Sequence, residues 1–258
     1  MHDWRVTTAR LRAAVSAADN VPLDVERTLL AHYPVAIVRL SGLRIAAIKA
    51  WLSRHGSVIP SGLVTCADRR LRGGLVAWRG CMVLFVDGDD PEDEQQFTIA
   101  HEADHFLGDH LFPRMELLQR LGPSILPVLD GHRPPKRAEE VDALLARASL
   151  PQQIHMLRRD ALIPAHVHSS EADADSFARE ILAPVAAIEQ QFRELQMNVG
   201  LTPYHPPANL TACPAANVIA DYIVTTYGIP VRHARVHAYK FVAERTAAPN
   251  RLRDLGFE

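Results

Sequence analysis

A short run near the middle of the chain has residue types and spacing suited to metal chemistry. The stretch "FTIAHEADHFLGDH" (97–110) places His101, Glu102 and His105 in the order His-Glu-x-x-His. Residues four apart on an α-helix project from nearly the same face, so both imidazoles can converge on one ion such as zinc. Glu102 can then take a proton from a water that the ion activates. The spacing predicts metal ligands at His101 and His105 and a general base at Glu102.

Two histidines leave such a site short of a third protein ligand. One source is the extended HExxHxxGxxH pattern, which Gly108 matches, although Leu111 holds the place of the third histidine and His110 comes one residue early. The other source is "EADADSFA" (171–178), where Glu171 and Asp175 lie four apart on one helix face. Glu171 could bind the metal while Asp175 accepts the N–H of a liganding imidazole. The residues alone leave both sources open.

Local signals place the metal motif directly after a β-hairpin. In "GLVAWRGCMVLFVDG", the β-prone runs 75–78 and 81–86 are joined by an Arg-Gly pair, which is typical of a tight turn. Asp90 is a suitable N-cap and Pro91 a suitable first helical residue, followed by three acidic side chains. A helix should therefore begin near Pro91 and end near Gly108. In zinc peptidases a strand beside this helix lines the cleft where a peptide can add as an extra strand.

The remaining segments are mainly helical by apolar spacing. Residues 1–56 predict helices and one strand at 34–40, and residues 111–168 are less regular. A helix beginning at Ser170 stops before Pro184, and a helix pair follows at 218–226 and 231–242.

Composition excludes several classes of protein. The chain has 258 residues, of which 48% are hydrophobic, with 28 basic and 30 acidic side chains, so nothing favours general binding to nucleic acid or membrane. The N-terminus has no signal-peptide core, and no apolar run approaches the ~20 residues of a membrane span. Cys66, Cys81 and Cys213 lie far apart and read as reduced thiols, so we expect a cytoplasmic protein.

Both motif helices resemble those of the ImmA/IrrE metallo-endopeptidases. That family has a strand pair leading into "F-T-x-A-H-E-x-x-H" and a later helix similar to "E-x-E-A-N-x-F-A-x-x-L-L-x-P". The first motif matches "FTIAHEADH" and the second matches "EADADSFAREILAP". The opening "VPLDVERTLLAHYPVAIVRL" and the closing "IADYIVTTYGIPVRHARVHAYKF" are also similar to the family, so the resemblance touches most of the chain.

The resemblance implies a function and an architecture. Zinc would be bound by His101, His105 and Glu171, with Glu102 as base and Asp175 in place of the family's usual Asn. The implied fold is α+β, a thermolysin-like zincin core at 1–200 with a helical insert at about 111–168 and a helix-turn-helix-like unit at 209–258. The implied activity is cleavage of a helix-turn-helix repressor, which would switch on stress or mobile-element genes.

The chain also departs from the family pattern. Asp104 replaces a usual Gly, the interval from His105 to Glu171 is longer than usual, and we identify no separate N-terminal DNA-binding domain. Four residues remain candidates for the side chain that would stabilise an oxyanion: His166, His168, Tyr204 and His205. One alternative function is a zinc-containing regulatory module, catalytically weak, that sequesters a repressor. Another is DNA binding by the basic last helix, which the net charge of -2 disfavours.

Overall fold

The computed structural model describes residues 3–56, 59–146, 152–159, 168–191 and 214–254. Their architecture is α+β and mostly helical, with one small mixed sheet, as the sequence predicts. The chain divides into two compact units, one comprising Met1–Ser16 and Asp24–Ala178, the other Ala17–Leu23 and Arg179–Glu258. Every side chain of the motif helices discussed above as a ligand or a base belongs to the first unit.

The described strands form a four-stranded sheet in the order β1-β3-β2-β4. Strands β1 (Val35–Leu40) and β3 (Cys81–Asp87) are parallel, whereas β2 (Leu71–Trp78) is antiparallel to β3 and to β4 (Gln152–Arg158). The β2–β3 hairpin confirms the two strands predicted before the metal motif. Arg79 and Gly80 at its turn both have positive φ, 54° and 76°, as a two-residue type I′ turn requires.

Helices cover both faces of the sheet. On one face, α3 (Ile45–Arg54) and α4 (Ser61–Val64) bury an apolar cluster against the strands, and Val76 and Phe85 belong to that cluster. The opposite face packs against α5 (Glu92–Asp104), and Gly73 of β2 directly faces that helix. From Gly73 onward the residues of β2 alternate between these two faces, whereas an irregularity between Leu71 and Gly73 places Leu71 in the apolar cluster.

Helix α5 begins within one residue of the predicted position, but its N-cap and its end both differ from the prediction. Three acidic side chains occupy its first turn, where they favour the positive end of the helix dipole. Pro91, rather than Asp90, holds the N-cap position, and a carboxylate oxygen of Asp90 accepts a hydrogen bond from Arg159 instead. Gly108 does not end the helix, because His105–Leu111 continues it as a π-helix that runs into α6 (Phe112–Leu121).

The interval between the two motifs is not purely helical. It contains α6, a 3₁₀ turn at Pro123–Ile125, α7 (Leu126–Leu129) and α8 (Arg137–Leu145), which bury their own small apolar cluster. It also contributes strand β4, whereas the sequence suggested a helical insert over about 111–168. Helix α9 (His168–Leu182) follows and carries the second motif. Two further helices, α1 (Trp4–Ala14) and α2 (Val25–His32), precede β1.

In the second unit, α10 (Pro214–Tyr227) and α11 (Val231–Asp254) are antiparallel neighbours joined through Gly228, whose φ is +62°. His237 of α11 donates a hydrogen bond from Nε2 to the backbone carbonyl of Ala183 at 2.8 Å. Among the described helices, none has the length and apolar character needed to cross a membrane.

Candidate metal centre

Four side chains from four elements, two of which are consecutive, meet in one largely buried group, which we call the His₃Glu cluster. Its members are His101, His105, His155 and Glu171, and one potential ligand atom of each lies within 4.8 Å of the others. His101 comes from α5, His105 from the start of the π-helix, His155 from β4 and Glu171 from α9. The cluster could bind a metal ion, because imidazole and carboxylate are ligands that divalent metals accept in proteins.

The Nε2 atoms of the two motif histidines point at the same carboxylate. Nε2 of His101 lies 3.4 Å from Oε2 of Glu171, and Nε2 of His105 lies 3.6 Å from Oε1. Both nitrogens are buried, and neither makes a hydrogen bond of acceptable geometry with the part of the chain that the structure describes. Buried polar atoms in folded proteins almost always have a partner. A cation shared with Glu171 is the partner that fits these two nitrogens.

The other ring nitrogen of each motif histidine contacts a carboxylate. Nδ1 of His101 is 3.0 Å from Oδ1 of Asp175, and Nδ1 of His105 is 3.2 Å from Oδ2 of Asp109. Such contacts fix the orientation of an imidazole and direct Nε2 toward a metal. Asp175 therefore lies where the sequence placed it, while Asp109 supports the second histidine from within the π-helix.

The third histidine of the cluster bridges two carboxylates. Nδ1 of His155 is 2.8 Å from Oε2 of Glu102, and Nε2 is 2.7 Å from Oε1 of Glu171. The imidazole ring also stacks on that of His105 with ring centroids 3.8 Å apart. The side chain of Glu102 is completely buried, and its Oε1 has no hydrogen-bond partner among the described residues. Only one of the two oxygens of the predicted base is thus engaged.

Electrostatics favour positive charge on two of the three histidines in the cluster, whereas burial, followed by the charge of His155, lowers the pKa of His105. Burial alone would lower the pKa of His155, but Glu102 and Glu171 outweigh it and raise that pKa to about 10. Burial also opposes the charge on His101, whose pKa is nevertheless raised to about 9 by Asp175 and Glu171. For Glu171 burial would raise the pKa, yet the facing imidazoles hold it well below its usual range. Ionised carboxylates in a buried pocket are the setting that a cation requires.

His110, the alternative third ligand, lies apart from this group. Its Nε2 accepts a hydrogen bond from the backbone N–H of Gly80 at 3.2 Å, and burial, followed by the charge of Arg114, lowers its pKa to about 4. It therefore supports the hairpin turn as a neutral side chain, whereas Glu171 faces both motif histidines. Of the oxyanion-stabilising alternatives, His166, Tyr204 and His205 lie outside the described residues, and only the backbone of His168 is described, as the first residue of α9.

Two members of the site were not predicted, His155 and Asp109. The stretch "QQIHMLRR" (152–159) does contain a usable signal, because apolar Ile154 and Met156 alternate with polar Gln153 and His155 as in a half-buried strand. Ile154 and Met156 pack on the apolar cluster beneath the sheet. Gln153 faces the opposite way and donates to Asp109 at 3.5 Å.

Comparison of the chain with protein-family models, with characterised proteins and with solved structures finds no match.

Proposed function

We propose that this protein is a zinc-dependent endopeptidase with a thermolysin-like zincin core of the ImmA/IrrE type. One observation carries the proposal: the motif histidines and Glu171 converge on one point, with the buried carboxylate of Glu102 beside it. The Nε2 atoms of the motif histidines, which have no hydrogen-bond partner in the described part of the chain, fit a metal ion, and the nitrogen and carboxylate donor set suits zinc. When bound, the ion would supply Lewis acidity and lower the pKa of a nearby water.

Each protein side chain then has a separate task. His101 and His105, oriented by Asp175 and Asp109, would hold the ion together with Glu171. Glu102 would take the proton of the attacking water through Oε1, the oxygen that no described residue hydrogen-bonds, and return it to the leaving amine. A substrate of the helix-turn-helix repressor type follows from the family resemblance alone.

The test is Glu102→Gln in the full-length protein. Gln keeps the shape of the side chain and leaves the proposed metal ligands unchanged, but it cannot take a proton. Zinc content, measured by atomic emission on dialysed protein, should remain about one per chain, while cleavage of a protein substrate should fall by a factor of about 10² or more. Cleavage at the wild-type rate in Glu102→Gln would refute the assignment of the base.

One observation favours a second candidate, a metal-containing regulatory module without hydrolytic activity. His155 can supply a fourth protein ligand, and structural metal sites are typically closed by four ligands whereas catalytic sites keep an open position. In that case Glu102 would orient His155 as Asp175 orients His101. His155→Ala separates the two candidates, because loss of a resident ligand should remove the metal, whereas the peptidase site retains its three ligands.

A further inference from the structure

Strand β4 covers the edge of β2 that lies next to the predicted base. The antiparallel ladder runs from Leu71 opposite Arg158 to Trp78 opposite Gln152, and Leu75 is opposite His155. At Gly73 of β2, a Cβ atom would lie 3.4 Å from Oε1 of Glu102. An extended chain paired with this edge of β2 therefore runs past Glu102 and the His₃Glu cluster.

The side chains of β4 enter the site from this position. Gln153 and His155, two residues apart, both point toward the motif helix, where Gln153 donates to Asp109 at 3.5 Å and His155 contacts Glu102 and Glu171. One strand of the protein thus touches the proposed base, a proposed ligand and the orienting partner of His105. These are the groups that a substrate must approach.

A peptide substrate and β4 need the same backbone groups. A peptide that adds to a sheet edge uses the unpaired N–H and C=O groups of the outermost strand and lies about 4.8 Å from it. Along β2 those groups already bond to β4. A peptide presented to Glu102 along β2 must displace β4, and with it the imidazole of His155.

We infer that β4 is a built-in competitor of the peptide substrate, an autoinhibitory strand whose His155 occupies the catalytic pocket until the strand leaves β2. The inference rests on the proposed function for the location of the peptide. It explains why His155 engages both Glu102 and Glu171, since an imidazole between them blocks the approach of a water and of a carbonyl group. It also agrees with exposure: the side chain of His155 is 17% exposed, against 2% and 3% for His101 and His105.

Tethering sets the size of the expected effect. A strand held in the same chain competes with an effective concentration in the millimolar range, so its release should tighten peptide binding by at least about 10-fold. A covalent lock between β2 and β4 should have the opposite effect.

The lock is a disulfide between Ala77→Cys and Gln153→Cys, which are opposite each other in the ladder. It is made in a background in which Cys66, Cys81 and Cys213 are serine, and bond formation is verified by mass spectrometry. The same protein after reduction is the matched control, and the cysteine-free background controls for the redox treatment. Cobalt replaces zinc as a spectroscopic probe, and binding of a dipeptide hydroxamate is followed by the visible absorption of the cobalt.

The reduced protein should bind the hydroxamate at least about 10-fold more tightly than the locked protein, and His155→Ala should bind it more tightly than the wild type while keeping its cobalt. Equal affinity of locked and reduced protein would overturn the inference, and so would loss of cobalt from His155→Ala. The hydroxamate result is independent of hydrolysis. If binding depends on the lock but no form cleaves an unstructured protein such as casein, the autoinhibitory strand stands and the peptidase proposal fails.

Discussion

Replacement of Gly73 by alanine tests how closely β2 packs on α5. A Cβ atom at this position would lie 2.4 Å from Cγ2 of Thr98 and 3.4 Å from Oε1 of Glu102. Carbon atoms in contact prefer about 3.5–4.0 Å, so the strand and the helix would have to separate by about 1 Å. Such overpacking costs about 1–3 kcal/mol. Alanine returns about 0.4–1 kcal/mol by restricting the unfolded chain, so from the middle of both ranges the free energy of unfolding should fall by about 1.3 kcal/mol.

The cause of this loss can be isolated with a second substitution. Thr98→Ser removes the Cγ2 atom that the new methyl group meets, at a cost of about 0.8 kcal/mol for one buried carbon. If the clash is the cause, Gly73→Ala should cost much less in the Thr98→Ser background, with a coupling energy of about 1 kcal/mol. The wild type, the two single variants and the double variant form a double-mutant cycle. Urea unfolding of the metal-free proteins, with EDTA present, measures the stability of all four without interference from the metal.

Gly62→Ala is the matched control. A Cβ atom at Gly62 would lie 3.3 Å from Cδ1 of Ile154, the end of a flexible side chain, and the residue belongs to helix α4. The control should therefore be close to neutral. If Gly73→Ala is as stable as the wild type, or if its cost is unchanged by Thr98→Ser, the close packing of β2 on α5 is wrong.

Three further predictions concern the site and its surroundings. Glu171→Gln should weaken zinc binding markedly and His110→Gln should leave it unchanged in calorimetric titrations; the reverse order would make His110 the third ligand. Asp109→Ala and Asp175→Ala should each weaken binding by roughly 10- to 100-fold, and wild-type affinity in both would contradict their orienting role. His110 has a native pKa of about 4, so the unfolded state binds its proton first as the pH falls. Stability should therefore be lost between about pH 6.5 and 4, by up to roughly 3 kcal/mol, and His110→Gln should flatten this dependence. If the free energy of unfolding depends on pH equally in the wild type and in His110→Gln, His110 is not the cause of this pH dependence.

The parts of the site that could be predicted are those encoded by local spacing. His101 and His105 lie four residues apart, as do Glu171 and Asp175, and each pair needs only its own helix to share a face. The hairpin before the motif could also be predicted, because a two-residue turn containing Gly is signalled by adjacent residues. That the two helices converge on one point could not be predicted from their spacing and is seen only in the structure.

His155 and Asp109 show why the rest could not be predicted. His155 reaches the cluster because β4 pairs with a strand about 80 positions earlier in the chain, in a register that places His155 opposite Leu75. A one-residue shift of that register would turn the imidazole to the other face of the sheet. Asp109 meets His105 inside a π-helical segment, and the apolar spacing that predicts helices does not distinguish π from α.

The surroundings of the three carboxylates that contact a histidine Nδ1 atom in the cluster indicate why Glu102 is more than a support for His155. Asp109 and Asp175 lie at the rim of the site with 28% and 34% of their side chains exposed, so water can reach both carboxylates. The side chain of Glu102 is completely buried, and one of its oxygens has no hydrogen-bond partner among the described residues. A buried carboxylate oxygen without a partner is costly, and an orienting role for His155 uses only the other oxygen. The cost is explained if the free oxygen receives the proton of a water during hydrolysis, which is the role that the His-Glu-x-x-His spacing predicts for Glu102.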